Sequence, residues 1–107
     1  MKISPGQVFL VDLGIAAKFR PMVVLSREDS EAPRALAVCA PVTTSNRGSR
    51  YEVPVGKVAF LDRESFVNVQ GVQAVQHHEL KRMIGRLPPG SLLEIKSALK
   101  FLFELAG

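Results

Sequence analysis

The sequence predicts a mainly β protein of the α+β class, in which a small antiparallel sheet or barrel carries one helix at its C-terminal end. Two observations indicate this. Short apolar runs recur along most of the chain, each bounded by glycine, proline or polar turn residues, which is typical of short antiparallel strands. After Pro88-Pro89-Gly90 the spacing of apolar residues becomes that of a helix. With 107 residues, the chain is long enough for one domain, spanning residues 1–107, with a single modest core.

Six strand-like runs follow one another in the sequence. They span residues 8–11, 22–25, 35–40, 51–55, 65–69 and 72–76. The first two runs are apolar throughout, and such runs are typical of strands that are covered on both faces. A barrel with a helix packed over it would cover them in this way.

The last segment has the signals of an amphipathic helix. Ser91 with Glu94 three residues later is the pattern of a capping box, so we expect the helix to begin at Ser91. Its wide apolar face consists of Leu92, Leu93, Ile95, Leu99, Phe101, Leu102, Phe103 and Leu105. We interpret this face as packing mainly on the protein's own sheet, with a part left for contact with a second copy. A shorter helical turn is predicted over residues 77–81.

The composition is that of an ordinary globular protein with a mild basic bias. The net charge is +4, which is compatible with an acidic polymer as partner. The single cysteine, Cys39, excludes an intramolecular disulfide and a cysteine-rich zinc site. The N-terminal residues lack the pattern of a signal peptide, and no apolar run approaches the length that crosses a bilayer. We therefore expect a soluble, cytoplasmic protein with no membrane partner.

Several common catalytic patterns are absent from the sequence. There is no cluster of residues at metal-ligand spacing, no phosphate-binding glycine loop, no G-x-S-x-G and no dinucleotide fingerprint. We therefore expect no metal and no organic cofactor. The neighbouring His77 and His78 invite an acid–base role, but adjacent side chains diverge on a strand and on a helix. We interpret them as surface histidines.

Arg20 and Thr43 are the candidate catalytic residues, because each lies where an apolar run meets polar residues. A guanidinium matches phosphate oxygens bidentately, and a threonine hydroxyl can donate to the same oxygens. Such a pair would stabilise the charge that develops when a ribose 2′-OH attacks the adjacent phosphorus. The spacing alone leaves a second interpretation open, in which Arg20 pairs with Asp12 or Glu52 and Thr43 only ends a strand.

The segment after Thr43 is polar and basic, as a loop that follows a phosphodiester backbone would be. Glu52 is the only acidic residue between Thr43 and Lys57. An ordinary flexible loop remains the alternative. The residues that we predict to bind single-stranded RNA are Lys18, Phe19, Thr44, Ser45, Asn46, Arg47, Arg50, Gln70 and Gln73.

Five segments, taken in order, resemble the MazF/PemK toxins of bacterial toxin–antitoxin pairs. They are residues 6–13 (GQVFLVDL), 20–26 (RPMVVLS), 41–44 (PVTT), 51–54 (YEVP) and 85–88 (GRLP). Each motif is short, and their shared order along almost the whole chain makes the resemblance specific.

The resemblance implies a small SH3-like or CcdB-like antiparallel barrel with a C-terminal helix, forming a homodimer. It implies a sequence-specific, metal-independent endoribonuclease that cleaves single-stranded RNA and leaves a 2′,3′-cyclic phosphate and a 5′-hydroxyl. The catalytic arginine and threonine of the family fall on Arg20 and Thr43. The implied protein partner is a cognate MazE-like antitoxin, whose acidic tail would lie across the basic groove.

The chain departs from the family pattern at two places. The loop over residues 14–19 is shorter than is usual in the family. The residue that transfers protons is therefore not identified by the resemblance. Gln70 stands where the family pattern has a carboxylate. Two alternatives therefore stay open at this point: a CcdB-like toxin that binds gyrase, and a catalytically silent RNA-binding barrel.

Overall fold

A computed structural model describes residues 2–14 and 18–105, so part of the short loop over residues 14–19 lies outside the described residues. The strands are β1 (Gln7–Asp12), β2 (Phe19–Val24), β3 (Leu36–Thr43), β4 (Glu52–Gly56), β5 (Ser65–Asn68), β6 (Gln73–Gln76) and β7 (Leu80–Arg86). Two 3₁₀ turns, Val69–Gly71 and His77–Glu79, flank β6, and the helix α1 (Pro89–Leu102) follows β7. The predicted mainly β fold with a C-terminal helix is confirmed.

The strands form one antiparallel sheet in the order β4-β5-β3-β2-β1-β7. Strand β3 is the longest and changes its neighbour halfway along the edge that faces away from β2. Its first half pairs with β6, and its last two residues pair with β5. The sheet therefore bends at β3 into a barrel-like shape without closing.

Both faces of the central strands are buried, as their uninterrupted apolar runs predict. One core lies between the sheet and α1 and contains Val8, Val23, Ala40, Val42, Val53, Val55, Val67, Val69, Leu87, Ile95 and Ala98. The other lies on the opposite face and contains Phe9, Val11, Met22, Val24, Ala37, Cys39, Val75 and Leu80. Because successive side chains of a strand point to opposite faces, β1 and β2 each contribute to both cores.

The helix begins at Pro89, so the predicted start at Ser91 with a capping box is wrong. No side chain caps the first turn, and the backbone N–H of Leu92 donates to the carbonyl of Pro88 at 3.2 Å. Proline suits the first helical position because its φ is already helical and its missing N–H would have had no partner there. In the described ranges, no helix has the length and apolar character needed to span a membrane.

The apolar face of α1 packs on the sheet along a narrower stripe than the sequence suggests. Ile95 and Ala98 are buried, and the leucines on either side are half-buried. Leu93 and Phe101 of α1 remain exposed, as do Phe103 and Leu105 just after its end.

The segment before α1 contains a strand that the sequence analysis missed. The predicted helical turn over residues 77–81 is one 3₁₀ turn, His77–Glu79, and β7 follows it directly. Leu80 is the only fully buried residue of β7, so its sequence lacks the alternation that marks a half-buried strand. Pairing with β1, far away in the sequence, stabilises it.

Cys39 lies in the core opposite α1 and is completely buried. Burial raises the pKa of its thiol to about 11, since a charged thiolate is disfavoured away from water. At neutral pH the thiol is therefore a neutral packing group and not a nucleophile.

Candidate nucleic-acid interface

An open groove of about 700 Å³ lies where β3 ends. Its walls carry hydroxyl groups, amides, one arginine and one carboxylate. The lining residues are Pro41, Thr43, Ser45, Arg47, Ser49, Tyr51, Glu52, Asn68 and Gln70. Such a mixture of donors and acceptors suits a ligand with phosphate oxygens and polar base edges.

At one end of this groove β2 and β3 separate, and each of these strands contains a proline there. The pairing of β2 with β3 ends at Met22 opposite Pro41. Pro21, the residue of β2 just before Met22, has no N–H with which to continue the ladder toward β3. Beyond this point Pro21 and Thr43 line a smaller cleft of about 270 Å³. The strand ends therefore separate where the candidate catalytic residues lie.

Arg20 and Thr43 emerge on the same face of the sheet. Each lies two residues beyond the Met22–Pro41 pair, and side chains two residues apart on a strand share a face. Arg20 lies inside β2, where it pairs with Val11 of β1, so its backbone is fixed by the sheet. The structure thus brings the two predicted residues to one end of neighbouring strands.

The hydroxyl of Thr43 is oriented by its own loop. Its Oγ1 accepts a hydrogen bond from the backbone N–H of Ser45 at 3.0 Å, and the residue is half-buried at the end of β3. Because a hydroxyl has one hydrogen to donate besides its acceptor lone pairs, that hydrogen is available to a ligand in the groove.

The guanidinium of Arg20 is exposed at the rim. Asp12 and Glu52, the two carboxylates with which Arg20 could pair according to the sequence, accept hydrogen bonds from other groups. The carboxylate of Asp12 accepts from the N–H of Gly14 at 2.8 Å, and that of Glu52 accepts from the loop after β3. Within the described part of the chain, Arg20 forms an ion pair with neither of them.

Glu52 holds the basic loop in shape. Its carboxylate accepts hydrogen bonds from the N–H of Arg47 at 3.1 Å, the N–H of Ser49 at 3.1 Å and the Oγ of Ser49 at 2.9 Å. These hydrogen bonds, led by the one from the Ser49 backbone, lower the pKa of Glu52 below its ordinary value of 4.5. The side chain is therefore charged throughout the neutral range.

Acid should release this loop only at a pH below the usual range for glutamate. A group whose pKa is lowered by folding stabilises the folded form above its unfolded pKa, and that contribution disappears as the pH falls through the lower, folded value. We expect the amide proton signal of Ser49 to titrate with a midpoint below 4.5, followed by NMR. The variant Glu52→Gln should lack this transition. A midpoint at or above the ordinary value would contradict the hydrogen bonds described here.

The opposite wall of the groove depends on Asn68. This residue lies directly across from Glu52 in the β4–β5 pair, and its Oδ1 accepts from the N–H of Gln70 at 3.0 Å. The bond caps the 3₁₀ turn that carries Gln70. Glu52 and Asn68 each hold the segment on their own side of the groove. Neither residue is predicted as part of the site from the sequence, although Glu52 is the only acidic residue between Thr43 and Lys57.

Three of the predicted RNA-binding residues line the groove, namely Ser45, Arg47 and Gln70. Thr44 lines the smaller cleft beside Thr43. The side chain of Asn46 turns back on its own loop, where its Oδ1 accepts from the N–H of Gly48 at 2.8 Å. The groove therefore gathers a part of the predicted set.

The other four predicted residues lie outside the lining of the groove. Lys18 and Phe19 are exposed beside Arg20 at the start of β2, with 53% of Phe19 accessible. The guanidinium of Arg50 lies 3.8 Å from the ring centre of Phe101, so Arg50 is engaged on the helix. Gln73 begins β6, opposite Cys39 of β3. Their contact with RNA stays a prediction.

Among residues 2–14 and 18–105, no group of three or more histidine, cysteine, aspartate or glutamate side chains is arranged to hold a metal ion. The groove itself offers one carboxylate, which its own loop amides occupy. Its ligand-binding capacity therefore rests on hydrogen-bond donors and on positive charge.

Comparison with known proteins agrees with this architecture. The endoribonuclease MazF3 of Mycobacterium tuberculosis is 33% identical over 88 residues, which cover 82% of this chain and 85% of that protein. A mycobacterial endoribonuclease solved in complex with its cognate antitoxin superposes with a TM-score of 0.84 at 25% identity, covering 97% of both chains. The M. tuberculosis toxin MazF-mt6 superposes with a TM-score of 0.82 at 30% identity, covering 94% of this chain and 99% of that one.

These relatives share one fold and together form one class, the toxin endoribonucleases. Residues 4–103 match the family described as the PemK-like, MazF-like toxin of type II toxin–antitoxin systems. The chain belongs to this family.

Proposed function

We propose that this protein is the toxin of a type II toxin–antitoxin pair and that its groove cleaves single-stranded RNA without a metal ion. The observation that carries the proposal is the emergence of Arg20 and Thr43 on one face, at the point where the β2–β3 ladder ends. The hydroxyl of Thr43, already oriented, lines a cleft at this point, and the exposed guanidinium of Arg20 would reach the same phosphate from the neighbouring strand.

The proposed reaction is transfer of the phosphorus from one ribose oxygen to another. The 2′-OH attacks the adjacent phosphorus, the P–O2′ bond forms and the P–O5′ bond breaks. The 2′-OH loses its proton, the leaving 5′ oxygen gains one, and the products are a 2′,3′-cyclic phosphate and a 5′-hydroxyl. Arg20 neutralises the extra negative charge on the non-bridging oxygens, and Thr43 donates its hydroxyl hydrogen to the same phosphate.

The groove walls would hold the RNA on either side of the cleaved phosphate. Arg47 supplies positive charge for the backbone, while Ser45 and Gln70 present groups that can hydrogen-bond to base edges. Tyr51 adds an aromatic ring at the groove on which a base can stack. Unpaired bases can reach such a wall, whereas a duplex conceals its base edges in a deep groove.

The partners that we propose are those of a cytoplasmic toxin: single-stranded RNA, an acidic antitoxin and a second copy of the chain. The net charge of +4 favours the two acidic partners. The apolar side chains that the C-terminal segment leaves exposed, Leu93 on α1 and Phe103 and Leu105 after its end, offer area for protein contact. The gyrase-binding alternative is not favoured, since the relatives are named as endoribonucleases.

The test is incubation of the purified protein with long single-stranded RNA in EDTA, followed by mapping of the RNA ends. We expect discrete cuts at a short motif with cyclic-phosphate 3′ ends. Thr43→Val, which keeps the shape but removes the hydroxyl, should slow cleavage by roughly 10²-fold. RNA that stays intact at high protein concentration both with and without EDTA would exclude the nuclease, and RNA that is cleaved only when EDTA is left out would exclude the metal-independent route.

A further inference from the structure

The carboxylate of Glu52 has an unusual set of partners for a residue at the wall of an RNA groove. Two backbone N–H groups and one hydroxyl of the loop over residues 44–51 converge on it, and all of them come from Arg47 and Ser49. The loop is thus wound around a negative charge that belongs to the neighbouring strand β4. Without that charge, the two exposed amides would turn to water.

We infer that Glu52 is a positioning residue for RNA, which holds Arg47 and Ser49 in the wall of the groove. The inference rests on the proposed function. Glu52 itself repels a phosphate, so a direct contact with the RNA backbone would weaken binding. Its contribution acts through the loop: an ordered loop presents the Arg47 side chain toward the groove before RNA arrives, and RNA then loses less affinity to loop ordering.

The position of Glu52 in the sheet makes this role specific. It is the first residue of β4 and lies opposite Asn68, the residue that caps the turn bearing Gln70. One cross-strand pair therefore holds two segments that line the groove, the loop with Arg47 and the turn with Gln70. The lowered pKa of Glu52 agrees with this, because it reports hydrogen bonds made to the charged form.

The substitution Glu52→Gln separates positioning from charge. A carboxamide has one acceptor oxygen in place of two and turns an NH₂ group against the loop amides. If Glu52 acted only through its charge, removing that charge beside RNA would tighten binding. If Glu52 instead positions the loop, the same substitution should weaken RNA binding. We expect KM for the mapped RNA to rise about fivefold, with kcat changed by less than about twofold, since Arg20 and Thr43 lie in strands and Ser45, which orients the Thr43 hydroxyl, is not one of the residues that bind Glu52.

Two further measurements complete the test. Hydrogen exchange of the Arg47 and Ser49 amides should accelerate about tenfold in Glu52→Gln without RNA. The double variant Arg47→Ala/Glu52→Gln should have a KM only slightly higher than that of Arg47→Ala alone. Both substitutions remove the same contribution to RNA binding, so their effects should not add. Effects that multiply would overturn the inference, as they would mark Glu52 as a general stabiliser.

The matched control is Glu28→Gln, which removes the same charge from an exposed position in the loop that precedes β3. The eight residues of β3 separate the two ends of the strand by roughly 25 Å, so KM should not change. Should Glu52→Gln fail to fold, Ser49→Ala removes one of the donors to Glu52 and should raise KM about twofold. The binding step is checked separately with the mapped RNA carrying a 2′-deoxy sugar at the cleaved position.

The outcomes are distinguishable from those of the proposed function. If the wild-type protein leaves RNA intact, the proposed function fails and the inference fails with it. If the wild type cleaves RNA but KM is unchanged or lower in Glu52→Gln, the inference alone is overturned. A raised KM together with faster amide exchange and the non-additive double variant supports it.

Discussion

Replacing Arg20 by alanine should lower kcat/KM for RNA cleavage by roughly 10³-fold or more, with most of the loss in kcat. The guanidinium is exposed at the rim of the sheet, and Phe19, Arg20 and Pro21 are all paired with β1, so its removal should leave the fold intact. What would be lost is the charge that, in the proposed mechanism, neutralises the developing phosphorane, and comparable groups in other phosphoryl-transfer sites contribute about 10³- to 10⁵-fold. Single-turnover cleavage of the mapped RNA measures it directly.

Two variants define what Arg20 supplies. Arg20→Lys keeps the charge but loses the planar pair of donors, so it should recover only a part of the rate. Arg34→Ala removes an equal charge from an exposed position just before β3 and should leave the rate within about twofold. Retained cleavage in Arg20→Ala would remove this residue from the site. An equal loss in Arg34→Ala would indicate that bulk positive charge, and not a located guanidinium, drives the reaction.

The parts of the fold that the sequence predicts are those whose signals are local. The apolar runs at residues 8–11 and 22–25 are bounded by turn residues and buried on both faces, and both appear as strands. Strand β7 is different, because it exposes most of its side chains and exists through its pairing with β1. A single-sequence pattern does not contain that pairing.

The candidate site likewise contains residues that the sequence identifies and residues whose role depends on the fold. Arg20 and Thr43 could be selected from the sequence because strand ends and prolines are visible there, and the structure brings both to one end of the sheet. The role of Glu52 could not, since it depends on how the loop after β3 curls back over β4. Arg50 has a contact that the sequence does not reveal, because its guanidinium lies over the ring of Phe101; its contact with RNA stays a prediction.

Gly85 should be the least replaceable glycine of the sheet. It lies in β7 opposite Val8, and the ring of Phe60 lies directly against its Cα. A Cβ at this position would overlap three ring carbons of Phe60. Phe60 itself packs against the core beneath α1, so its ring cannot withdraw without losing apolar contact.

We expect Gly85→Ala to lower the free energy of unfolding by roughly 1–3 kcal/mol, the usual cost of overfilling a packed site. Urea denaturation measures this, and the transition should stay cooperative. The opposite sign is expected for Gly90→Ala in the first turn of α1, where a Cβ meets no atom within 4 Å. That substitution should stabilise the protein by about 0.5–1 kcal/mol through the helix propensity of alanine.

A double-mutant cycle tests whether Phe60 is the residue that excludes a side chain at Gly85. Phe60→Leu in the Gly85→Ala background replaces a rigid ring by a smaller, flexible side chain, so a part of the lost stability should return. The coupling energy between the two positions should then lie at about 0.5–3 kcal/mol, the range for residues in direct contact. If the two effects add, the ring of Phe60 is not what excludes a side chain at Gly85. In that case the cost of Gly85→Ala must come from the irregular β1–β7 pairing at Val8 and Phe9.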